Sequence, residues 1–221
     1  MKIVHPKYFD VISMADSIPE TLVIENPLYF RETISALIQQ TETYIGDFVL
    51  SDKNGDLLSL NKKCLLLTDI YHFYENDKRM KSKIQHIIVN EAQYNNKLFQ
   101  LLSELNEFAI NLANSVQYSV SFKEDLTIFD IVKMFDFDVS FEYLEFWEKL
   151  IEYLKMSFDL LEYRLAVTVN LKDSITVNEY TQFVKDISNN KICLLMIEHN
   201  THPGCDDPEH LHIVDEDLCI L

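Results

Sequence analysis

The hydrophobic positions change period along the chain, and each change marks an element. Thr21-Leu-Val-Ile-Glu25 is a continuous apolar run ended by Asn26-Pro27, after which Phe30, Ile34, Leu37 and Ile38 recur at three- and four-residue spacing. This predicts a strand feeding a helix. Two short apolar runs, Asp47-Phe-Val-Leu-Ser51 and Asp56-Leu-Leu-Ser-Leu60, flank Lys53-Asn54-Gly55 and predict a hairpin, because Asn-Gly accepts the positive φ angles of a tight turn. Cys64 to Thr68 reads as a buried strand. Between Lys78 and Val116 neither proline nor glycine interrupts Ile84, Ile87, Ile88, Tyr94, Leu98, Leu101, Leu105, Phe108 and Leu112, which keep helical spacing. One long helix, or two with a bend, is expected there.

Thr127 to Phe135 and Phe141 to Tyr163 carry two further helical stripes, and the pattern then reverts to alternating strands and helices. Leu165–Val169 is a β-rich run, Val177–Ile187 a helix, Ile192–Ile197 a strand buried on both faces, and Leu211–Leu221 two short strands around an acidic turn. Strand-helix units at both ends bracket a helical middle, so the expected class is α/β. One sheet is made by residues 1–77 and 165–221, with residues 78–164 as a helical appendage.

Composition narrows the function. Of 221 residues 48% are hydrophobic, enough for one good core and incompatible with a disordered chain. Nineteen Lys and Arg stand against 36 Asp and Glu, a formal charge of -17, which excludes adhesion to nucleic acid or anionic membrane by net attraction. Any DNA contact must be local. Three glycines (Gly46, Gly55, Gly204) cannot build the glycine-rich phosphate loops of dinucleotide or nucleoside-triphosphate enzymes. No segment reaches the roughly 18 uninterrupted apolar residues of a membrane span, and the start lacks a signal-like run, so a cytoplasmic protein with no membrane partner is expected. Cys64, Cys193, Cys205 and Cys219 form no CxxC pair and read as reduced core residues.

Four segments carry candidate chemistry. Asp52-Lys-Asn54-Gly-Asp56 imitates the start of a calcium loop but has Leu57 where the turn wants glycine and Lys63 where the bidentate Glu belongs, so the hairpin reading prevails. His199, His202, Cys205, His210 and His212 crowd one loop with zinc-type donors, at a spacing that fits none of the usual tetrahedral frameworks, and a solvated loop is the alternative. Eleven carboxylates lie between Glu124 and Glu162 against three lysines. Among them Glu124, Asp125 and Asp130 straddle a helix start, which suits either a hard cation such as calcium or simply the helix dipole. Lys78, Arg79, Lys81 and Lys83 put four bases in six residues at the mouth of the long helix, either a grip on a phosphate backbone or a solvated basic turn.

Thr21-Leu-Val-Ile-Glu-Asn26 with its helix, Leu65-Leu-Leu-Thr-Asp69-Ile70, Asp125-Leu-Thr-Ile-Phe-Asp130-Ile-Val-Lys133, Val169-Asn170 and Val214-Asp215-Glu216-Asp217 together resemble the Csn2 family, the ring-forming spacer-acquisition proteins of type II-A CRISPR loci. The resemblance spans essentially the whole chain and rests on order and pattern. It implies a head with a mostly parallel, degenerate P-loop-ATPase-like sheet without nucleotide chemistry, a helical leg, and a homotetrameric ring around a double-stranded DNA end. It further implies calcium at the base of the leg, with Glu124, Asp125 and Asp130 matching by position. Ser140 stands where a relative carries an acid, and Glu142 or Asp138 are the substitutes. DNA contacts are assigned by the resemblance to Lys78, Arg79, Lys81 and Lys83, and the CRISPR integrase complex and RNA-guided nuclease are implied as partners.

The residues themselves agree in two respects. Asn26-Pro27 stand where a triphosphate would need its cradle, which predicts a non-hydrolytic head. Four copies at -17 repel one another, and divalent ions would offset that repulsion. The expectation is therefore a non-enzymatic, sequence-independent binder of linear duplex DNA in spacer acquisition. The alternatives are a metal-dependent nuclease using the same acids and an acidic protein-binding scaffold that does not touch DNA.

Overall fold

The structure, a computed structural model, describes residues 1–75 and 77–219. In chain order, β1 (Lys2–His5), β2 (Phe9–Ser13) and β3 (Glu20–Ile24) precede α1 (Pro27–Thr43). Then come β4 (Val49–Ser51), β5 (Leu57–Leu58), the single turn α2 (Leu60–Lys63) and β6 (Cys64–Leu67). The helical stretch is α3 (Lys78–Ala92), α4 (Asn96–Ser115) and α5 (Ile128–Met134). The chain closes with α6 (Phe146–Leu160), β7 (Leu165–Val169), α7 (Val177–Asn189), β8 (Leu194–Glu198) and β9 (Leu211–Val214). Two compact units result, residues 1–75 with 143–221, and residues 76–142.

The first unit holds two sheets among its described residues. A parallel sheet runs in the order β6-β7-β8-β3-β9, and an antiparallel one in the order β2-β1-β4-β5. The first strand of the parallel sheet lies between the last two, so its connections are crossovers, and β3, β7 and β8 are buried at every position. Both faces of such strands must be apolar, which is why their sequences run Leu-Val-Ile, Leu-Ala-Val and Leu-Leu-Met-Ile rather than alternating. Leu22, Ile24, Val167, Leu195 and Ile197 share one core with Leu37 of α1 and with Ile3, Ile12 and Leu50 of the antiparallel sheet. Leu150 and Leu154 of α6 and Phe183 and Ile187 of α7 are also buried, and these two helices pack on each other.

The hairpin forms as the Asn-Gly pair predicts, with Gly55 at φ 90° and Asp52 accepting the amides of Asn54 and Asp56 at 2.8 and 2.9 Å. Asp52 is thereby a turn residue, not a calcium ligand. In the second unit the long helical pattern divides into α3 and α4 at residues 93–95, where Asn95 caps α4 by accepting the amide of Lys97. Helices α3 and α5 pack together, with Met80, Ile131 and Val132 buried.

Four expectations differ from what the structure contains. Strands β1 and β2 are not anticipated, since four or five residues such as Lys-Ile-Val-His carry too short a period to register, and with β4 and β5 they form a second sheet where a single one is expected. The helix expected from Phe141 starts at Phe146 and belongs to the sheet unit, so the compact units divide after residue 142 and not at 164. Its stripe of Leu150, Ile151 and Leu154 is what draws it there. After β9 the acidic segment folds back on itself through Asp215, which accepts the Cys219 amide at 2.7 Å, and no second strand forms among the described residues. Residues 220 and 221 of that expected strand lie outside them. Finally, Cys64, Cys193 and Cys205 are buried free thiols, whereas Cys219 is exposed.

Candidate nucleic-acid interface

The basic run begins α3. Asp77 caps the helix, its carboxylate accepting the amides of Arg79 and Met80 at 3.0 and 3.1 Å, and Met80 anchors the first turn in the unit's interior. Lys78, Arg79 and Lys83 are exposed. Arg79 and Lys83, four residues apart, share a helix face, with Lys78 beside it. Lys81 projects differently. Its ammonium lies 2.9 Å from Asp136 and 3.3 Å from Asp138, and the Asp136 carboxylate holds its pKa above the ordinary amine value. Asp136 reaches it because the residue adopts φ 52° and turns the chain sharply at the end of α5. Lys78 and Lys83 therefore face solvent, whereas Lys81 is neutralised within its own unit.

The predicted cation ligands are not gathered in the same way. Asp130 is the third residue of α5 and completes a capping box: its Oδ2 accepts the amide and hydroxyl of Thr127 at 2.8 and 2.7 Å, and Thr127 in turn caps the Asp130 amide. Oδ1 of Asp130 meets the ammonium of Lys123 at 2.6 Å. Lys123, followed by the Thr127 donors, depresses the Asp130 carboxyl far below the usual carboxylate range. Glu124 and Asp125 are exposed. Of the two substitutes, Asp138 is paired with Lys81 and Glu142 is exposed. Among the described residues no group of three or more His, Cys, Asp or Glu side chains is arranged to hold a metal ion. The carboxylates of a single chain, as placed, do not fit a calcium shell.

The histidine-rich loop is likewise divided among separate partners. His199 faces the Ile24 carbonyl at 3.0 Å and His202 meets Asp173 at 2.8 Å. His210 and His212 each take one oxygen of the buried Glu20 carboxylate, at 2.9 and 3.0 Å. The loop is held to the sheet by these contacts and by Lys172, whose fully buried ammonium reaches Asp206 at 2.6 Å and Thr21 at 3.0 Å. Beside it, burial lifts the Glu198 carboxyl to about 7, although its Oε1 accepts the amides of Leu171 and Lys172.

At the turn after β3, the amides that would cradle a phosphate are already spent. Asn26 Oδ1 accepts the amides of Leu28 and Tyr29, both at 3.1 Å, and Pro27 has no N–H to give. The helix start is closed by its own cap.

Sequence reasoning missed Lys123, which stands one residue before the acidic window and so escaped the charge count. It also missed the pairing of Lys81 with acids more than fifty residues away, which no local signal announces.

Comparisons with known proteins bear on this arrangement. The model of the family described as CRISPR-associated protein (Cas_Csn2) matches residues 40–218. No curated protein matches the sequence. Among solved structures, the fold is similar to the crystal structure of Stu0660 of Streptococcus thermophilus, with a TM-score of 0.59 and 17% identity over 96% of this chain and 74% of that one.

Proposed function

The chain belongs to the Csn2 family of CRISPR-associated proteins, and from that premise we propose that it binds double-stranded DNA ends, without sequence preference and without cleaving them, during acquisition of new spacers. The observation that carries the proposal is the pair of exposed lysines Lys78 and Lys83 at the mouth of α3. In a chain of charge -17, Lys78 and Lys83 face solvent while Lys81 is neutralised, and they form a local positive patch; phosphate backbones are bound through such patches whatever their sequence.

A single helix start grips a duplex weakly, so the proposal includes a homotetrameric ring that multiplies the patch. Helix α4 supports assembly. None of its described side chains is buried, and Leu101, Phe108 and Leu112, which share one face, are 41%, 64% and 55% exposed. Apolar stripes of this kind mark association surfaces. Calcium enters the reading only as an ion that would have to draw Asp130 away from Lys123. The CRISPR integrase complex and RNA-guided nuclease are proposed as partners on the ground of family membership alone.

Gel-shift titration against linear and covalently closed duplexes of one length, over a salt series, tests the proposal. Binding to the linear form that falls steeply with salt is expected. Equal binding to circles would remove the ring, and cleavage of either form with magnesium or manganese would convert the protein into a nuclease. Absence of any shift at low salt would leave the acidic scaffold.

A further inference from the structure

We propose that a cationic cavity at the amino-terminal edge of the parallel sheet binds a nucleotide through its phosphate monoester. The cavity, of about 720 Å³, opens where the chain enters β6, β7 and β8, and Lys53, Lys63, Arg164 and Lys191 line it. Asp16 and Asp52 are the carboxylates in its wall, so the lining side chains carry more positive than negative charge in a chain whose total is -17. This is the opposite edge of the sheet from the Asn26 cap, and therefore not a relic of a triphosphate cradle.

The cations are available to a ligand. Lys53 meets Asp16 at 2.5 Å and Lys63 meets Glu162 at 3.2 Å, both exposed pairs of the kind that contribute little and exchange readily. Arg164 and Lys191 are exposed, and among the described residues neither has an ion-pair partner. Two backbone features bring them to the cavity. The Arg164 amide donates to the Lys63 carbonyl at 2.8 Å, setting the two bases side by side at the entrances of β7 and β6. Lys191 stands at φ 53°, a conformation that glycine adopts freely and a side chain does not. A guanidinium fork with three ammonium groups matches the terminal oxygens of a phosphate monoester.

The rest of the wall tells a nucleotide from a bare anion. Phe158 and Leu58 supply an apolar surface for a base or ribose. The volume lies within the roughly 300–1,000 Å³ of small-ligand sites, whereas a strand backbone follows an extended stripe. The inference stands independently of duplex binding by α3.

Isothermal titration of the full chain with adenosine 5′-monophosphate, adenosine and inorganic phosphate tests it. The monophosphate is expected to bind, adenosine to give no heat, and the double variant Arg164→Gln, Lys191→Gly to bind the monophosphate at least about tenfold more weakly while melting no lower than the parent, since both positions are exposed and glycine fits the backbone at 191. Competition with one oligonucleotide, bearing a 5′-phosphate or a 5′-hydroxyl, identifies the source. Displacement by the phosphorylated form alone assigns the cavity to a strand terminus, and displacement by neither assigns it to a free nucleotide. Displacement by both, no heat with the monophosphate, or equal affinity in the double variant overturns the inference.

Discussion

The ammonium of Lys123 lies 2.6 Å from Oδ1 of Asp130, so the carboxylate that the acidic window offers to a cation already holds one. A calcium ion there competes with a tethered lysine that never dissociates from the chain. Replacing Lys123 with alanine should therefore raise calcium affinity at this loop several-fold, and Asp130→Asn should remove the gain. Terbium luminescence or calorimetry on the three proteins reads this directly. Thermal stability of Lys123→Ala should barely change, since the lysine side chain is 58% exposed and exposed pairs contribute little. Identical affinities in all three would take the loop out of consideration as a calcium site.

Glu198 sets a second prediction. Its carboxyl is lifted from 4.5 to about 7 by burial, so the folded chain binds a proton that the unfolded chain has released throughout that interval. Stability then falls as pH rises from 4.5 to 7 and is level above, by about 3 kcal/mol from this group. Glutamine in its place keeps the oxygen that accepts the Leu171 and Lys172 amides and cannot ionise. Glu198→Gln should flatten the fall and melt higher than the parent at pH 8, with the two converging near pH 4.5. Parallel melting curves across that range would show that burial does not raise the Glu198 carboxyl and that it is already ionised in the native protein.

These two carboxylates also show what one sequence discloses. Continuous apolar runs and the Asn-Gly pair give the parallel strands and the hairpin, because burial on both faces and positive φ leave local traces. Thr127 with Asp130 is a capping box written in three-residue spacing, legible as a helix start whatever else the acid does. What stays hidden is anything assembled across the fold. Lys81 finds Asp136 because α3 packs on α5, and Lys53, Lys63, Arg164 and Lys191 meet around one cavity because the strands bring them together, and no spacing rule records either. The Glu198 shift is equally tertiary, since it arises from burial and not from its neighbours in the chain.

Charge reversal on α3 separates the bases by their surroundings. Lys78→Glu with Lys83→Glu should reduce affinity for linear duplex at least about tenfold and flatten its dependence on salt, each lost phosphate contact lowering the logarithmic slope by about 0.9. Lys81→Ala should do far less, because its charge is already met by Asp136 and Asp138. Filter binding over a salt series measures both. A Lys81 variant as defective as the double reversal would mean that the ion pairs open on DNA, and that Lys78 and Lys83 are not the grip.

The proposed ring leans on α4. Leu101, Leu105, Phe108 and Leu112 recur at four, three and four residues and form one apolar stripe, yet Phe108 and Leu112 stand 64% and 55% exposed. A helix gains most of its stability by burying such a face, and in the proposed ring another copy of the chain covers it. Phe108→Asp with Leu112→Asp should leave the chain folded, because neither side chain supports its own core, while lowering the mass in solution from four times 26.0 kDa toward that of one chain. Light scattering after size exclusion gives the mass, and circular dichroism checks that helix content is kept. Duplex binding should fall with the mass, since a small basic patch on each chain holds a polyanion firmly only when several copies present it together. A variant that stays tetrameric would place the subunit contacts elsewhere, and one that becomes monomeric yet binds linear DNA as before would separate the grip from the ring.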